Sequence, residues 1–251
     1  MTAHKCPRST FLAHNPFPSP LTLGFFYREK MRAIHRVAPD APFEEILEVG
    51  GGRSGLTHLL YPRARVTNLE PDASCSDAPC NRLQGVRLVC GVATALDFDS
   101  ESFDAITMFD VLEHIPDHER AVSEVLRVLK PGGYLIVSVP NENWRFPYYG
   151  FMKSICPSEE EMFAEWGHVR RGYSLEQLDR LLAIPREHSA TFISPLTVLC
   201  HDFAFSRISE RRKRAICGAL SPLTWIGYFL HTSHGAGTET ASVWRKPGKA
   251  R

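Results

Sequence analysis

The sequence predicts an α/β protein of one domain, in which a mostly parallel sheet carries helices on both faces. Two observations predict this class. Short runs of apolar and β-branched residues alternate along the chain with segments whose apolar residues recur at helical spacing. The chain also has 251 residues, of which 43% are hydrophobic, so it can bury one sizeable core.

The first two thirds of the chain supply most of these elements. Four prolines predict an irregular arm over residues 1–23, and apolar residues at helical spacing predict a helix over 24–38. Further helices are expected from Leu56 through Leu60 and from 117 to 130, where Pro131 and two glycines stop the second one. Short apolar runs predict strands at 46–49, 65–69, 86–90, 104–109 and 134–139.

After Pro140 the alternation breaks. An aromatic-rich stretch at 144–166 is followed by a helix that Ser174 opens, with Gln177 completing a capping box. We predict a sixth strand at 190–198 and a last strand at 238–245. The roughly forty residues between them are too many for a simple connection and must form their own structure.

Composition limits the classes of function. A net charge of +1 gives no reason to expect nucleic-acid binding, although Arg211–Arg214 form a local basic run. Seven scattered cysteines without a Cys-x-x-Cys pair predict neither disulfides nor a metal site, and favour a reducing, cytoplasmic location. We expect no signal peptide, and the apolar stretch 223–230 is too short to span a bilayer.

A glycine loop suggests a nucleotide-type ligand. Gly50–Gly55 matches G-x-G-x-x-G between a predicted strand and a helix, and glycines there allow a ligand to approach the backbone closely. Glu70 ends the next strand, where its carboxylate could accept hydrogen bonds from both ribose hydroxyls. The loop fits S-adenosylmethionine, a nicotinamide dinucleotide, or a plain tight turn. Glu48 favours the first, because a dinucleotide site normally has an apolar residue there.

Four segments decide between these alternatives. LEVGGGRSG, VTNLEPD, SFDAITMFDVLEHIPD and EVLRVLKPGGYLIVSVPN resemble successive motifs of the class I S-adenosylmethionine-dependent methyltransferases. They are most similar to the small-molecule branch that includes quinone-biosynthesis enzymes. The resemblance is strong over residues 45–141 and weaker in HVRRGYSLEQLDRLL and ETASVWRKP. It implies a Rossmann-like sheet of seven strands whose last strand is antiparallel.

The resemblance also implies a cofactor site for S-adenosylmethionine. Glu48, Gly50 and Gly52 would line its methionine part, Glu70 would hold the ribose, and Asp110 would lie near its amino-acid end. The sequence departs from the family where an aspartate usually meets the adenine amino group, since valine stands there. Adenine recognition then falls to backbone groups of Val92 and Ala93.

Candidate residues for the acceptor side follow the fourth and fifth strands. His114 and His168 are candidate general bases, each with a plain alternative as a locally bonded or solvated histidine. Arg170 and Tyr173 lie beside His168 in sequence and are candidate acceptor contacts. Trp144 belongs to the aromatic stretch, which could wall an acceptor pocket or simply pack the core.

We therefore predict a methyltransferase of residues 1–251 that acts on a small molecule. Its parts would be an N-terminal arm and helix (1–40), a cofactor-binding core (41–141) and an acceptor-side half (142–251) with an insertion at 195–237. Two other classes stay open: a non-catalytic binding scaffold or regulator, and, against Glu48, a dinucleotide oxidoreductase. The insertion could cover the acceptor, or contact a membrane surface through 207–230.

Overall fold

The computed structural model describes residues 4–17, 21 and 23–249, and it centres on one seven-stranded sheet. The strands in spatial order are β3-β2-β1-β4-β5-β7-β6, and β7 runs antiparallel to both of its neighbours. Their bounds are β1 Glu45–Val49, β2 Arg65–Glu70, β3 Val86–Cys90, β4 Phe103–Phe109, β5 Leu129–Pro140, β6 Arg186–Phe192 and β7 Glu239–Arg245. The expected Rossmann-like architecture with an antiparallel last strand is confirmed.

Eight α-helices surround this sheet in the described part of the chain. They are α1 Arg8–Ala13, α2 Leu23–Val37, α3 Leu56–Leu60, α4 His118–Val128, α5 Glu159–Trp166, α6 Leu175–Leu182, α7 Pro195–Phe205 and α8 Glu210–Leu230. The capping box at Ser174 and Gln177 is present as predicted. None of these helices is long and apolar enough to cross a membrane, a finding that covers only the described residues.

Two apolar layers cover the two faces of the sheet. Because successive strand side chains point to opposite faces, Ile46 packs into the layer that holds α1–α3, α7 and α8. Its neighbour Leu47 packs into the layer that holds α4 and α6. A third, smaller cluster of buried residues joins the aromatic stretch to α5: Trp144, Phe146, Met152, Cys156 and Met162.

The predicted sixth strand is wrong beyond Phe192. The backbone turns at Ile193, whose φ is +55°, and Ser194 then caps α7 by accepting a hydrogen bond from the Thr197 amide at 3.3 Å. Pro195 occupies the first helical turn, where its missing N–H costs nothing. The apolar and β-branched residues at 195–198 therefore belong to the start of an apolar helix, and the long connection to β7 is α7 and α8.

Two other boundaries differ from the sequence prediction. The expected arm contains α1, whose Phe11 and Leu12 are buried; residues 1–3, 18–20 and 22 of that arm lie outside the described part. Helix α4 ends at Val128, two residues early, because β5 already begins at Leu129. Beyond it, Gly132 takes a positive φ of +78° within β5.

One edge of the sheet collects the residues that matter for function. The carboxyl ends of the parallel strands bring Gly50, Glu70, Gly91 and Asp110 to this edge. Strand β7 runs the other way, so its first residue, Glu239, pairs with Pro140 at the end of β5 and reaches the same edge. Ligands of open α/β sheets bind at this edge.

Candidate active site

The glycine loop is held against the ends of β1 and β2. Gly50 has a φ of +69°, and a Cβ on it would lie 2.6 Å from Cγ2 of Val111. A Cβ on Gly51 would lie 2.6 Å from Cδ of Glu48. Side chains larger than hydrogen are therefore excluded at both positions, and the loop backbone stays open toward the cavity beside it.

Glu48 lies beneath the loop and does not line that cavity. Its side chain is buried and accepts a hydrogen bond from the Thr57 amide at 3.3 Å, near the start of α3. Burial raises the pKa of Glu48 to about 7. The contacts of this carboxyl thus tie the strand to the helix under the loop.

Glu70 stands at the end of β2 and faces the loop. Its carboxylate accepts a hydrogen bond from the Gly52 amide, and burial raises its pKa. Gly52 has a φ of +57°, so the loop turns its N–H toward Glu70. The two residues predicted to hold different parts of the cofactor are therefore in contact with each other.

A cavity of about 670 Å³ opens beside the loop. Residues that follow four neighbouring strands line it: Val49, Gly50, Leu69, Pro71, Gly91, Val92, Ala93, Thr94, Asp110, Val111, His114, Ile115, Pro116 and Asp117. The lining is mostly apolar with a few polar groups, as in small-molecule sites. Four of the predicted cofactor residues (Gly50, Val92, Ala93 and Asp110) line it, whereas Glu48, Gly52 and Glu70 lie behind its wall.

Val92 occupies the far side of this cavity. Its side chain is 49% exposed and its carbonyl accepts a hydrogen bond from the Ala95 amide at 3.1 Å. The valine side chain cannot accept a hydrogen bond, so recognition of a purine by the backbone at Val92 and Ala93 stays a prediction, and the side chain has room to change.

Asp110 connects the cofactor cavity to the N-terminal helix. Its carboxylate receives hydrogen bonds from Lys30 Nζ at 2.5 Å and from Ser138 Oγ at 2.6 Å. Burial opposes the charge of Lys30, but the Asp110 carboxylate outweighs it and raises the pKa of Lys30. Asp110 also has a φ of +55°, which turns the chain sharply after β4.

A second cavity of about 170 Å³ meets the first at Asp110. Carboxyl, imidazole and aromatic side chains line it: Asp110, Glu113, Pro140, Trp144, Trp166, His168, His201, Phe205 and Glu239. Trp144 stacks on Trp166 with ring centroids 5.7 Å apart. Burial and the nearby Asp110 raise the pKa of Glu239 to about 8. Trp144 thus both lines this cavity and packs in a buried aromatic cluster, and its contact with an acceptor stays a prediction.

The fold brings His114 and His168 together. Their ring centroids are 4.7 Å apart at an interplanar angle of 83°, and Nδ1 of His114 bonds the Gly167 carbonyl at 3.1 Å. His114 lines the cofactor cavity and His168 lines the second one. Burial, with a smaller effect of His114, lowers the pKa of His168 to about 4. His168 is therefore neutral at pH 7.

Arg170 and Tyr173 lie outside both cavities. The Arg170 guanidinium donates to the carbonyls of Leu112, Ile115 and Pro116 at 2.6–2.9 Å. The Tyr173 hydroxyl donates to the Leu112 carbonyl at 3.1 Å. These bonds fix the segment that carries Glu113 and His114. Arg170 and Tyr173 therefore lie behind the site, and contact of either residue with an acceptor stays a prediction.

The segment of the chain that forms most of the cofactor cavity also matches a known protein family. Residues 47–137, which include the glycine loop, Glu70 and Asp110, match the family model described as "Methyltransferase domain". Residues 47–137 of the chain therefore form a methyltransferase domain.

Two relatives represent the sequence matches of this chain. Phthiotriol/phenolphthiotriol dimycocerosates methyltransferase 1 of Mycobacterium ulcerans is 33% identical over 162 residues, 61% of this chain and 53% of the relative. A ubiquinone biosynthesis O-methyltransferase of Coxiella burnetii is 26% identical over 204 residues, 67% of this chain and 87% of the relative. The chain thus spans about half the length of its Mycobacterium relative.

Solved structures share the fold of this chain. A SAM-dependent methyltransferase from Thermotoga maritima has a TM-score of 0.57 and 22% identity, covering 95% of this chain and 93% of that one. N-methyltransferase NodS from Bradyrhizobium japonicum, in complex with S-adenosyl-l-homocysteine, has a TM-score of 0.56 and 16% identity, covering 96% of each chain. At these identities the likeness concerns the fold.

Three residues of the methyltransferase site escaped the sequence analysis. Lys30 lies on α2 and its side chain reaches Asp110 across the fold, which helical spacing alone does not indicate. His201 lies in the segment where α7 was not predicted. Glu239 carried a usable signal: an antiparallel last strand must begin at the edge where the parallel strands end.

Proposed function

We propose that the protein transfers a methyl group from S-adenosylmethionine to a small-molecule acceptor by in-line displacement. One observation carries this proposal: the cofactor cavity and the smaller polar and aromatic cavity meet at Asp110. A donor in the first and an acceptor in the second would lie end to end across that residue. In-line transfer requires such an arrangement, because the attacking atom must approach opposite the leaving sulfur.

The residues of the larger cavity suit this cofactor. The open backbone at Gly50 admits a ligand closely, Asp110 offers a carboxylate inside this cavity, and Glu70 holds the Gly52 amide of the glycine loop from behind it. S-adenosylmethionine, when bound, supplies an electrophilic methyl carbon attached to a positively charged sulfur. The protein's own contribution is to hold donor and acceptor in line and to keep water away, for which Trp144 and Trp166 wall the smaller cavity.

The two cavities also suggest how the chain divides between cofactor binding and acceptor binding. Residues 41–141 would form the cofactor half and residues 142–251 the acceptor half, since Trp144, His168, His201 and Glu239 all come from the latter. The relative from Coxiella burnetii is an O-methyltransferase, which supports oxygen as the acceptor atom. The seven free cysteines suit the reducing cytoplasm that we propose as the location.

Formation of S-adenosylhomocysteine distinguishes a methyltransferase from a scaffold that only binds the cofactor. Purified protein is incubated with methyl-labelled S-adenosylmethionine and a cell extract, and S-adenosylhomocysteine and labelled products are measured by mass spectrometry. We expect label in a small molecule, and none with the His168→Ala variant, which keeps the cofactor cavity. Tight cofactor binding without turnover on any extract would instead support the scaffold.

We further propose that α8 rests on an anionic membrane surface while the acceptor is taken up. Phe229 and Leu230 are 73% and 72% exposed at the end of this helix. They adjoin a cavity of about 590 Å³ lined by four arginines: Arg8, Arg28, Arg32 and Arg36. Apolar side chains beside cationic ones are the combination that binds anionic lipid surfaces.

Vesicle sedimentation tests this contact. We expect the protein to co-sediment at low salt with vesicles that contain phosphatidylserine and to stay in solution with neutral ones. The F229S/L230S variant should lose the binding and keep its melting temperature, because both side chains are exposed. Arg211→Ser, at the other end of α8, is the matched control. Equal sedimentation of all three proteins would remove the proposal.

A further inference from the structure

Three potential metal ligands meet where the two cavities join. One ligand atom from each of Glu113, His114 and His168 lies within 4.8 Å of the other two. Glu113 and His168 line the smaller cavity, and His114 lines the larger one. The cluster therefore occupies the boundary across which a methyl group would pass.

Glu113 is a buried carboxyl without a partner. Its side chain is fully buried, and neither carboxylate oxygen has a hydrogen-bond partner among the described residues. An unpaired buried carboxylate is costly, because it loses its hydration and gains nothing in return. Nδ1 of His168 is likewise buried without a partner. Neighbouring buried polar groups without hydrogen-bond partners indicate that a ligand of opposite charge is missing between them.

The surroundings of the cluster are short of positive charge. Asp110, Glu113 and Glu239 all line the smaller cavity. Lys30 is bonded to Asp110, and neither glutamate forms an ion pair with a described residue. A cation beside Glu113 would offset this excess of carboxyl groups.

His114 has one ring nitrogen available for a metal ion. Its Nδ1 lies 3.1 Å from the Gly167 carbonyl, so Nδ1 carries the proton and Nε2 presents a lone pair. Metal-binding histidines commonly donate their second ring nitrogen to a backbone carbonyl in this way. The bonds from Arg170 to the carbonyls of Leu112 and Ile115 hold the same segment in place.

We propose that Glu113, His114 and His168 bind a divalent transition-metal ion, and that this ion holds an acceptor hydroxyl at the boundary of the two cavities. Two imidazoles and one carboxylate suit ions such as Zn²⁺ or Co²⁺ better than Mg²⁺. With metal–ligand distances of about 2.1 Å, three ligand atoms around one ion lie roughly 3.4–3.6 Å apart, so ligand atoms at the 4.8 Å limit would close inward by about 1 Å. Three protein ligands leave positions open for the acceptor, as in catalytic sites.

The role of the ion rests on the proposed methyl transfer, whereas its binding does not. An acceptor hydroxyl bound to the ion loses its proton to water, because the ion lowers the pKa of the hydroxyl. The resulting oxyanion forms a bond to the methyl carbon, and the carbon–sulfur bond breaks with its electron pair left on sulfur. The products are a methyl ether and S-adenosylhomocysteine. His114 and His168 then act as metal ligands, which replaces their predicted use as general bases.

Metal binding is tested directly on untagged, chelator-treated protein. Calorimetry with Zn²⁺ and the visible spectrum of added Co²⁺ should each give one site per chain, and Mg²⁺ should give none. Glu113→Gln and His168→Ala should each weaken binding at least ~10-fold. Both variants should also lose the rise in melting temperature that the ion gives to the parent protein.

Matched variants keep the test specific. His201→Asn changes the other imidazole of the smaller cavity, which lies outside the cluster, and Cys80→Ser removes a thiol elsewhere; both variants should bind the ion as the parent does. Glu113→Gln should melt close to the parent in chelator, which shows that it folds. The metal site is overturned if the parent binds no ion, or if Glu113→Gln binds it unchanged. If the parent protein binds the ion but transfers no methyl group to any hydroxyl compound, the metal site stands and its proposed role in the transfer is wrong.

Discussion

Glu70 links the glycine loop to the end of β2 through the Gly52 amide. Glu70→Ala leaves that amide unpaired and removes the ribose acceptor that the sequence predicts. We expect S-adenosylmethionine binding to weaken by about 1–3 kcal/mol, measured by calorimetry. Asp72→Ala, which changes an exposed carboxylate two residues further on, is the control. If both variants bind as the parent does, the ribose assignment is wrong.

Val92 is a position where, unlike at Glu70, a substitution should not weaken cofactor binding. Its half-exposed side chain faces the cofactor cavity, so an aspartate fits there and could accept a hydrogen bond from the adenine amino group. Val92→Asp should therefore keep or strengthen cofactor binding, while Val92→Ala should change it little. A large loss of affinity in a folded Val92→Asp protein would show that the third strand has been aligned wrongly with the family.

For single residues, a local sequence motif identifies candidate site residues but does not indicate which distant residues their side chains contact. The spacing of the loop to Glu70 indicates a carboxylate near the cofactor, because both lie on consecutive strands. The pairing of His114 with His168, and of Lys30 with Asp110, depends on chain segments more than fifty residues apart. No periodicity records such contacts. The same reason explains why the spacing of cysteines predicted no metal site although three other ligand atoms meet.

The segment between β4 and α4 is held from outside by one guanidinium. Arg170→Lys keeps the charge but cannot donate to three carbonyls in a fork. We expect a loss of about 1.5–3 kcal/mol in the free energy of unfolding and slower turnover, from thermal melts and product assays. Arg171→Lys, where the neighbouring arginine pairs with Glu159 at the surface, should change stability by about 1 kcal/mol or less. Similar effects of both variants would contradict the clamp.

The α7–α8 connection is part of the core as well as of the acceptor side. Val198, Cys200, Cys217 and Tyr228 are buried against the layer that contains α2. Replacing residues 195–237 by a short turn would expose that layer, so we expect the shortened protein to aggregate during expression. Soluble shortened protein that binds S-adenosylmethionine would show that the segment is only an addition.

Elements were predictable where one periodicity dominates. The strand at 86–90 and the capped helix after Ser174 have the bounds or start that the sequence predicts. The prediction failed at 193–198, where β-branched residues occur in a helix because Ser194 and Pro195 fix its start. Capping chemistry therefore outweighed strand propensity, and the serine–proline pair was the signal to use.

Buried carboxyl groups should make the whole molecule less stable at alkaline pH. Burial raises the pKa of Glu29 to about 8, of Glu48 to about 7 and of Glu239 to about 8. The native state then binds more protons than the unfolded chain between about pH 4.5 and 8, so stability falls as pH rises through this range. Several histidines with lowered pKa oppose this trend only below about pH 6.5.

Thermal melts in chelator measure this dependence. We expect the melting temperature to fall by several degrees between pH 6.5 and 8.5. Glu29→Gln should flatten the slope, since Glu29 then no longer binds a proton in the native state. Glu45→Gln, whose carboxyl pairs with Arg65 at the start of β2, is the control variant. A melting temperature that rises with pH in this window would contradict the assignment.

The position of β7 has a consequence for how the protein folds. This strand follows all the others in sequence, yet it lies between β5 and β6 and supplies Glu239 to the site. Strands β5 and β6 therefore cannot pair with each other and must wait, apart, for a segment about fifty residues beyond β6. Contacts of such sequence separation slow folding. A ribosome-bound chain that ends before β7 would expose two unpaired strand edges and would have need of a chaperone.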